Sequence, residues 1–422
     1  MPLNKIVVSL LILFFVTSGE IKSQLFGTKR IGGDYPDYST IKAAVEALKA
    51  EGISSSVVFE INSGTYVVDN LIIESIVGAD ESSKITFTSF DGHADNVIIK
   101  NKPEGQDFLI KLDGCKHLTF NNITFESSEG ELSNQIILTG GASYNTFEYC
   151  VFKAKEDSDC ESGDSIVVIH DEPSEQKQEF NYFQYNEIIG GCIGISLEGQ
   201  TGELEKGNQV TGNEFTKQNF KAVDVVHNDS GFFNHNTVIY EGDSTAVAFK
   251  VDRVYEIQGN SIFSGGNKAL FIDTFKAKEP KVENFEGLSV INNKISCPKG
   301  NALKGNHIQG LFLGHNTLFN NSDTLFTIYL DSIKYMVCAY NLLVNKSDNG
   351  VFNITTSAEV NLNPQDMLEW QLGSDFNGAS CGDSIFGKLN DTSYQSLADW
   401  QNRCSYRPDP HSYSGKISFD ND

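Results

Sequence analysis

The feature that most constrains this chain is an asparagine that returns along most of its length, each time between two short strand-like runs. It stands at Asn122 (FNNITF), Asn186 (QYNEII), Asn213 (TGNEF), Asn236 (NHNTVI), Asn260 (QGNSIF), Asn293 (INNKIS), Asn316 (GHNTLF) and Asn341 (AYNLLV), with Cys150 (EYCVF) taking the place once. Successive spacings are 28, 36, 27, 23, 24, 33, 23 and 25 residues, so the unit is the shortest of these and the surplus is inserted loop. A period of this size belongs to a solenoid, in which each repeat buries its apolar face only against its neighbours. The LxxLxL pattern of a leucine-rich horseshoe is missing. Asn fits a tight bend between strands because it tolerates positive φ and its amide can bond the equivalent residue above and below. Stacked at roughly 4.8 Å per rung, these side chains would form an internal ladder.

The expected fold is therefore all-β, a single-stranded right-handed parallel β-helix of about ten rungs. The first strand of each rung aligns as 166–171, 193–198, 223–228, 247–252 and 270–275, which puts Ile166, Ile193, Val223, Val247 and Leu270 inward. Polar insertions at 172–179, 199–206 and 276–286 read as loops rimming one face. Both ends of a solenoid need covers. TIKAAVEALKA, from Thr40, spaces Ile41, Ala44, Val45 and Leu48 as a helix after Ser39, the expected N-cap; SLADWQNRC, from Ser396, gives a short closing helix with Trp400. The organisation is 1–23 leader, 24–107 N-terminal cap and first strands, 108–358 ladder-bearing β-helix, and 359–422 C-terminal cap and tail.

Residues 1–23, with Lys5, an apolar run over 6–16 and Ser23 before Gln24, read as a signal peptide, so a secreted or cell-surface protein is expected. The run is too short to span a bilayer, and no other long apolar run follows. Acidic residues outnumber basic ones 56 to 32, for a formal charge of -24, and Arg30, Arg253, Arg403 and Arg407 are the only arginines. That balance excludes a nucleic-acid partner, which needs clustered cations; a monomer is expected. Eight cysteines permit disulfides in an oxidising compartment, with Cys381–Cys404 or Cys150–Cys160 the first pairs to test and buried thiols the alternative.

GGDYPDYSTIKAAVEAL followed by VVFEINSGTY resembles the opening of secreted bacterial right-handed β-helix repeat proteins and, more distantly, pectin methylesterases. SLADWQNRCSYRPDPHS is similar to a terminal segment of the same repeat proteins. The resemblance covers nearly the whole mature chain and implies a pectate lyase-like superfamily fold without a specific enzyme family. The NTD, DD, GHG and RIK motifs of polygalacturonases are missing, and Gln106-Asp107 lacks the second Asp in register of pectin methylesterases.

A β-helix of this kind is expected to bind or process an extracellular polysaccharide or cell-surface glycan. Resemblance to polyuronate lyases implies calcium held by stacked carboxylates beside a basic residue that removes the proton α to the sugar carboxylate. By alignment Asp171, Glu198, Asn228 and Asp252 form one column, so Asp171, Glu198 and Asp252 are the expected metal ligands, with Lys250 and Arg253 beside them as catalytic groups. Lysine is the easier of the two bases to deprotonate. A glycoside hydrolase would use Asp224 and Asp273, which point outward two rungs apart, roughly 9.6 Å from strand spacing. His170 and His227 share a column at strand ends, as general bases or as turn histidines. The alternative is a non-catalytic surface adhesin or structural β-solenoid, with exposed aromatics stacking on sugars.

Overall fold

The computed structural model describes residues 23–102, 108–127, 134–155, 160, 166–200, 202–229, 231–241, 247–251, 254–276, 287–347, 349–356, 372–375, 378–381, 385–401 and 413–414. The expected leader, Gln106-Asp107, Asp252, Arg253 and Cys404 lie outside them, Ser23 excepted.

Each turn of the chain lays down one strand in each of three sheets. One such turn runs from Ile193–Glu198 in sheet C through Gln209–Thr211 in sheet A and Glu214–Thr216 in sheet B to Lys221–Val226, again in sheet C. Among the described residues, sheet A has 14 strands and sheets B and C 13 each, nearly all parallel, so the right-handed coil is longer than the ten rungs legible from the asparagines. The first coils lack the ladder residue, which is why the spacing did not count them.

Period-two alternation turns one residue set of every sheet into the bore. Sheet A supplies a continuous stack of phenylalanines: Phe59, Phe87, Phe120, Phe147 and Phe183 have successive ring centroids 4.7, 5.5, 5.4 and 5.8 Å apart. All are fully buried. Sheet B answers with Phe125 on Phe152 at 4.9 Å.

The asparagine ladder is continuous. The Oδ1 of Asn213 accepts from the backbone N–H of Asn186 at 2.9 Å and from its side-chain amide at 3.0 Å, and the pattern repeats through Asn236, Asn260, Asn293, Asn316 and Asn341. Two details differ from expectation. Positive φ belongs to the residue before the ladder position, as at Tyr149, Tyr185, His235, His315 and Tyr340. Asn122, with φ of 53°, occupies that preceding place, so Ile123 is the ladder residue of its rung.

The N-terminal helix spans Ile41–Glu51, and its N-cap is Thr40, whose hydroxyl accepts from Ala43 N at 3.1 Å; Ser39 lies one residue outside. Its buried side chains Ile41, Ala44, Val45 and Leu48 lie over the first strands, and Gly52 ends it at φ 65°. At the far end the helix Leu397–Gln401 lays Trp400 flat on Phe352, centroids 5.5 Å apart. A disulfide joins Cys160 to Cys192, correcting the expected Cys150–Cys160 pair; Cys150 is a buried thiol whose place in the ladder rung leaves it inside.

Candidate functional site

Sheet C carries the candidate site on its outer surface. Its inward column runs through Ile169, Ile195, Val223, Leu270, Leu303 and Ile328, all fully buried. The residue following each one turns outward, and the register stacks these as His170, Ser196, Asp224, Lys250, Phe271, Lys304 and Tyr329 on seven consecutive strands.

Asp224 is the centre of this row. It forms an ion pair with Lys221 on its own strand, and its Oδ1 lies 3.6 Å from Lys250 Nζ on the next. The side chain of Asp224 is only 12% exposed, and Oδ1 accepts no hydrogen bond, so one carboxylate is held between two ammonium groups in a partly dry setting. Such pairing costs desolvation that the second cation offsets.

Further along, Lys268 lies 5.1 Å from the centroid of the Phe271 ring, and Lys304 lies 5.9 Å from Phe271 and 5.2 Å from Tyr329. Burial, then repulsion from Lys304, pulls the Lys268 ammonium below the ordinary lysine range, while the charge of Asp273 opposes this more weakly. Among the described residues no carboxylate forms an ion pair with Lys268 or Lys304. At the other end of the row, burial holds the His170 imidazole below its usual value against the opposing charges of Glu172 and Glu198, which favours a neutral ring.

The expected residues divide accordingly. Asp224 and Lys250 are brought together. Asp273 is not a partner of Asp224: Phe271 occupies the position two strands on, and Asp273 lies two residues beyond it. From strand spacing and rise their backbones are then roughly 12 Å apart, outside the separation a hydrolytic carboxyl pair needs. Asp252 and Arg253 lie outside the described residues.

The carboxylate column does not form either. Asp171 stands opposite Leu197, Glu198 opposite Val226, and Asn228 opposite Glu205. Asp171 is 1% exposed and turned inward, so it shares no surface with Glu198. The alignment slipped because strands such as 166–169 offer apolar residues at consecutive positions, and a one-residue slip moves every side chain to the other face. Ile195, which the same alternation turns inward, is fully buried, whereas Ile193 at the start of the strand is only half-buried. His227 lies in a turn at φ 54°, with Nδ1 3.1 Å from Gly199 O, and does not share the His170 column. Among the described residues no group of three or more His, Cys, Asp or Glu gathers as a metal site.

Lys221, Lys268, Lys304 and Tyr329 were missed, because single lysines beside apolar strands carry no local signal. A second ladder was missed as well. Asn181 Oδ1 accepts from Asn145 N at 3.1 Å, Asn208 Oδ1 from Asn181 N at 2.9 Å, and Asn208 donates to Asn228 Oδ1 at 3.0 Å. Its signal was available: Asn145, Asn181 and Asn208 each precede a main-ladder position by the same interval.

No family model matches the chain, and no curated protein matches it. Solved structures do. The chain is similar to the A-module of the mannuronan C-5 epimerase AlgE6 of Azotobacter vinelandii, with TM-score 0.56 and 10% identity over 89% of this chain and 93% of that one. The AlgE4 A-module of the same organism gives 0.51 and 9% over 89% and 95%. The catalytic domain of a GH87 α-1,3-glucanase gives 0.54 and 10% over 95% and 69%. These likenesses establish the parallel β-helix fold.

Proposed function

We propose that the outer row of sheet C takes an acidic extracellular polysaccharide, and that the chain is an exported protein which cleaves it as a polyuronate lyase. The observation that carries this reading is the concentration of cations on that row in a chain of net charge -24: Lys221 and Lys250 on Asp224, then Lys268 and Lys304 around Phe271. Two ammonium groups without an ion-paired carboxylate among the described residues, beside aromatic faces, suit a sugar that presents both a carboxylate and an apolar ring face. The similar structures include mannuronan epimerases and a glucanase complexed with tetrasaccharides, which supports a saccharide ligand.

β-Elimination needs a base for the proton α to the uronate carboxylate and positive charge to stabilise the carbanion that forms. In this reading Lys221 and Lys250 neutralise the substrate carboxylate beside Asp224, supplying the charge that calcium was expected to supply. His170 stands on the same row two strands from Asp224, roughly 9.6 Å between backbones by strand spacing, and in this reading its neutral ring takes the proton from the ring carbon that bears the substrate carboxylate. The electron pair of the broken C–H bond forms the new double bond as the C–O bond to the glycosidic oxygen breaks, and that oxygen takes a proton from water or from the His170 imidazolium just formed.

The test is turnover of the purified mature protein on a panel of polyuronates and neutral glycans, following absorbance of unsaturated ends and reducing ends together, with and without calcium. Unsaturated products from an acidic polymer are expected, and His170→Asn and Lys250→Ala should each lower kcat/KM by about 10²-fold or more. Reducing ends without unsaturation would replace elimination by hydrolysis. Binding without either product would leave the adhesin, and activity restricted to added calcium would return the charge-neutralising role to a metal.

A further inference from the structure

A pair of buried carboxyls behind the His170 strand is used by none of this chemistry. Asp171 ends the strand Val167–Asp171, and Glu205 lies in the excursion that leaves sheet C after Glu198; they are 1% and 2% exposed. The two carboxyls face each other closely enough to act on one another: Glu205 raises Asp171, and Asp171 lowers Glu205. Glu205 is supplied with donors: Gln178 N reaches Oε1 at 3.1 Å, and Asn208 Nδ2 lies 3.4 Å from Oε2. Among the described residues Asp171 has none, and neither of its oxygens accepts a hydrogen bond from an N–H or O–H. Two ionised carboxylates cannot hydrogen-bond, and one of them unsolvated in the interior would be costly.

We propose that Asp171 and Glu205 share one proton, carried by Asp171 and donated to the Glu205 carboxylate, and that this bond clasps the 199–206 excursion onto the end of the His170 strand. The assignment of the proton follows from the donors, since amide N–H groups favour charge on Glu205 and nothing favours it on Asp171. Burial, then the charge of Glu205, holds the Asp171 carboxyl well above the ordinary carboxylate range.

The charges around the pair do not change this. Glu198, at the end of the neighbouring sheet C strand, raises Asp171 further, and Glu179, from the 172–179 excursion, raises Glu205. Lys177 is taken by Glu203 at 3.7 Å, and Lys206 is exposed. From the strand Asn228–Asp229 and its preceding turn come Asp229 and His227, the latter on the Gly199 carbonyl. The excursion is otherwise fastened by pairing of Glu205–Lys206 with Asn228–Asp229 and of Gln200 with Glu203.

The sign of the consequence is fixed. A carboxyl whose folded value is raised stabilises the fold fully below its unfolded value, and that contribution is lost as pH rises through the folded value. Melting temperature should therefore fall as pH rises above the ordinary carboxylate range, and hydrogen exchange over 202–206 should rise with it. His117 and His170, both lowered by burial, act in the opposite direction and cannot mimic the fall. Asp171→Asn places an amide donor where the shared proton was, so it should flatten both trends and melt above the parent at the upper pH. Glu205→Gln, which gives Asp171 a donor, should flatten them too. In the unmodified protein a carboxylic-acid C=O band should persist in the infrared at neutral pH. Absence of that band, or trends flat in the parent and unaltered by either substitution, would overturn the proposal. None of these readouts involves saccharide, so their failure is separate from failure of the lyase reading.

Discussion

At the scale of the residue, the coil is held by side chains that solve one problem repeatedly, the backbone groups left unpaired where sheet A bends into sheet B. Asn236 is fully buried; its amide donates to Val210 O at 2.9 Å and to Asn260 Oδ1 at 3.0 Å, and its Oδ1 accepts from Asn213 on the other side. Asn236→Leu orphans donors and acceptors on three rungs at similar volume, so a loss of about 1 to 3 kcal/mol is expected in chemical denaturation; an unchanged midpoint would mean that the ladder is ornament. His170 gives a second expectation at this scale. With its pKa below the ordinary 6.5 and the neutral ring acting as base, log kcat/KM should rise with pH and level off on the acid side of 6.5. An acid limb that survives in His170→Asn would belong to another group.

At the scale of the element, caps and ladder were legible in the sequence and the candidate site was legible only in part. The helix pattern at Ile41, Ala44, Val45 and Leu48 is a property of one segment, and the Asn recurrence is a property of one residue type, so neither needed the register. The row on sheet C did need it, because its residues come from strands separated by insertions of unequal length. Runs such as Val167-Val168-Ile169 and Gln135-Ile136-Ile137 blur which residues alternate inward. Asp224 and Lys250 come together although the expected alignment set Val223 beside Val247, two residues from its true partner Phe249, because a two-residue slip leaves every side chain on its own face; Asp171 and Glu198 were one residue out of step, which moves them to opposite faces. Counting back from the two ladders, instead of from apolar runs, would have fixed the face. The N-terminal helix covers apolar side chains and strand edges that would otherwise pair with another copy. Deleting 36–52 should therefore produce oligomers or aggregate in light scattering, and the milder Thr40→Ala should cost about 1 kcal/mol through the lost cap. A monomeric deletion variant of equal stability would remove the capping role.

At the scale of the whole molecule, the chain combines a strongly negative total charge with one face on which lysines gather. A polyanion meets repulsion from the former and attraction from the latter, and salt decides between them. At ~0.1 M the screening length is about 10 Å, so distant carboxylates fade while Lys221, Lys250, Lys268 and Lys304 still act at contact. The central claim is that this row recognises the negative charge of a polysaccharide, independent of what chemistry follows. Its most direct measurement is the affinity of the purified protein for a polyuronate and for the same polymer with its carboxyls reduced to alcohols, in the parent and in the Lys268→Gln/Lys304→Gln double variant. The account predicts that the parent prefers the acidic polymer by at least about tenfold, roughly 1.4 kcal/mol, and that the double variant loses most of that preference while keeping its melting temperature. Equal affinity of the parent for the two polymers, or a preference untouched in the double variant, would contradict it.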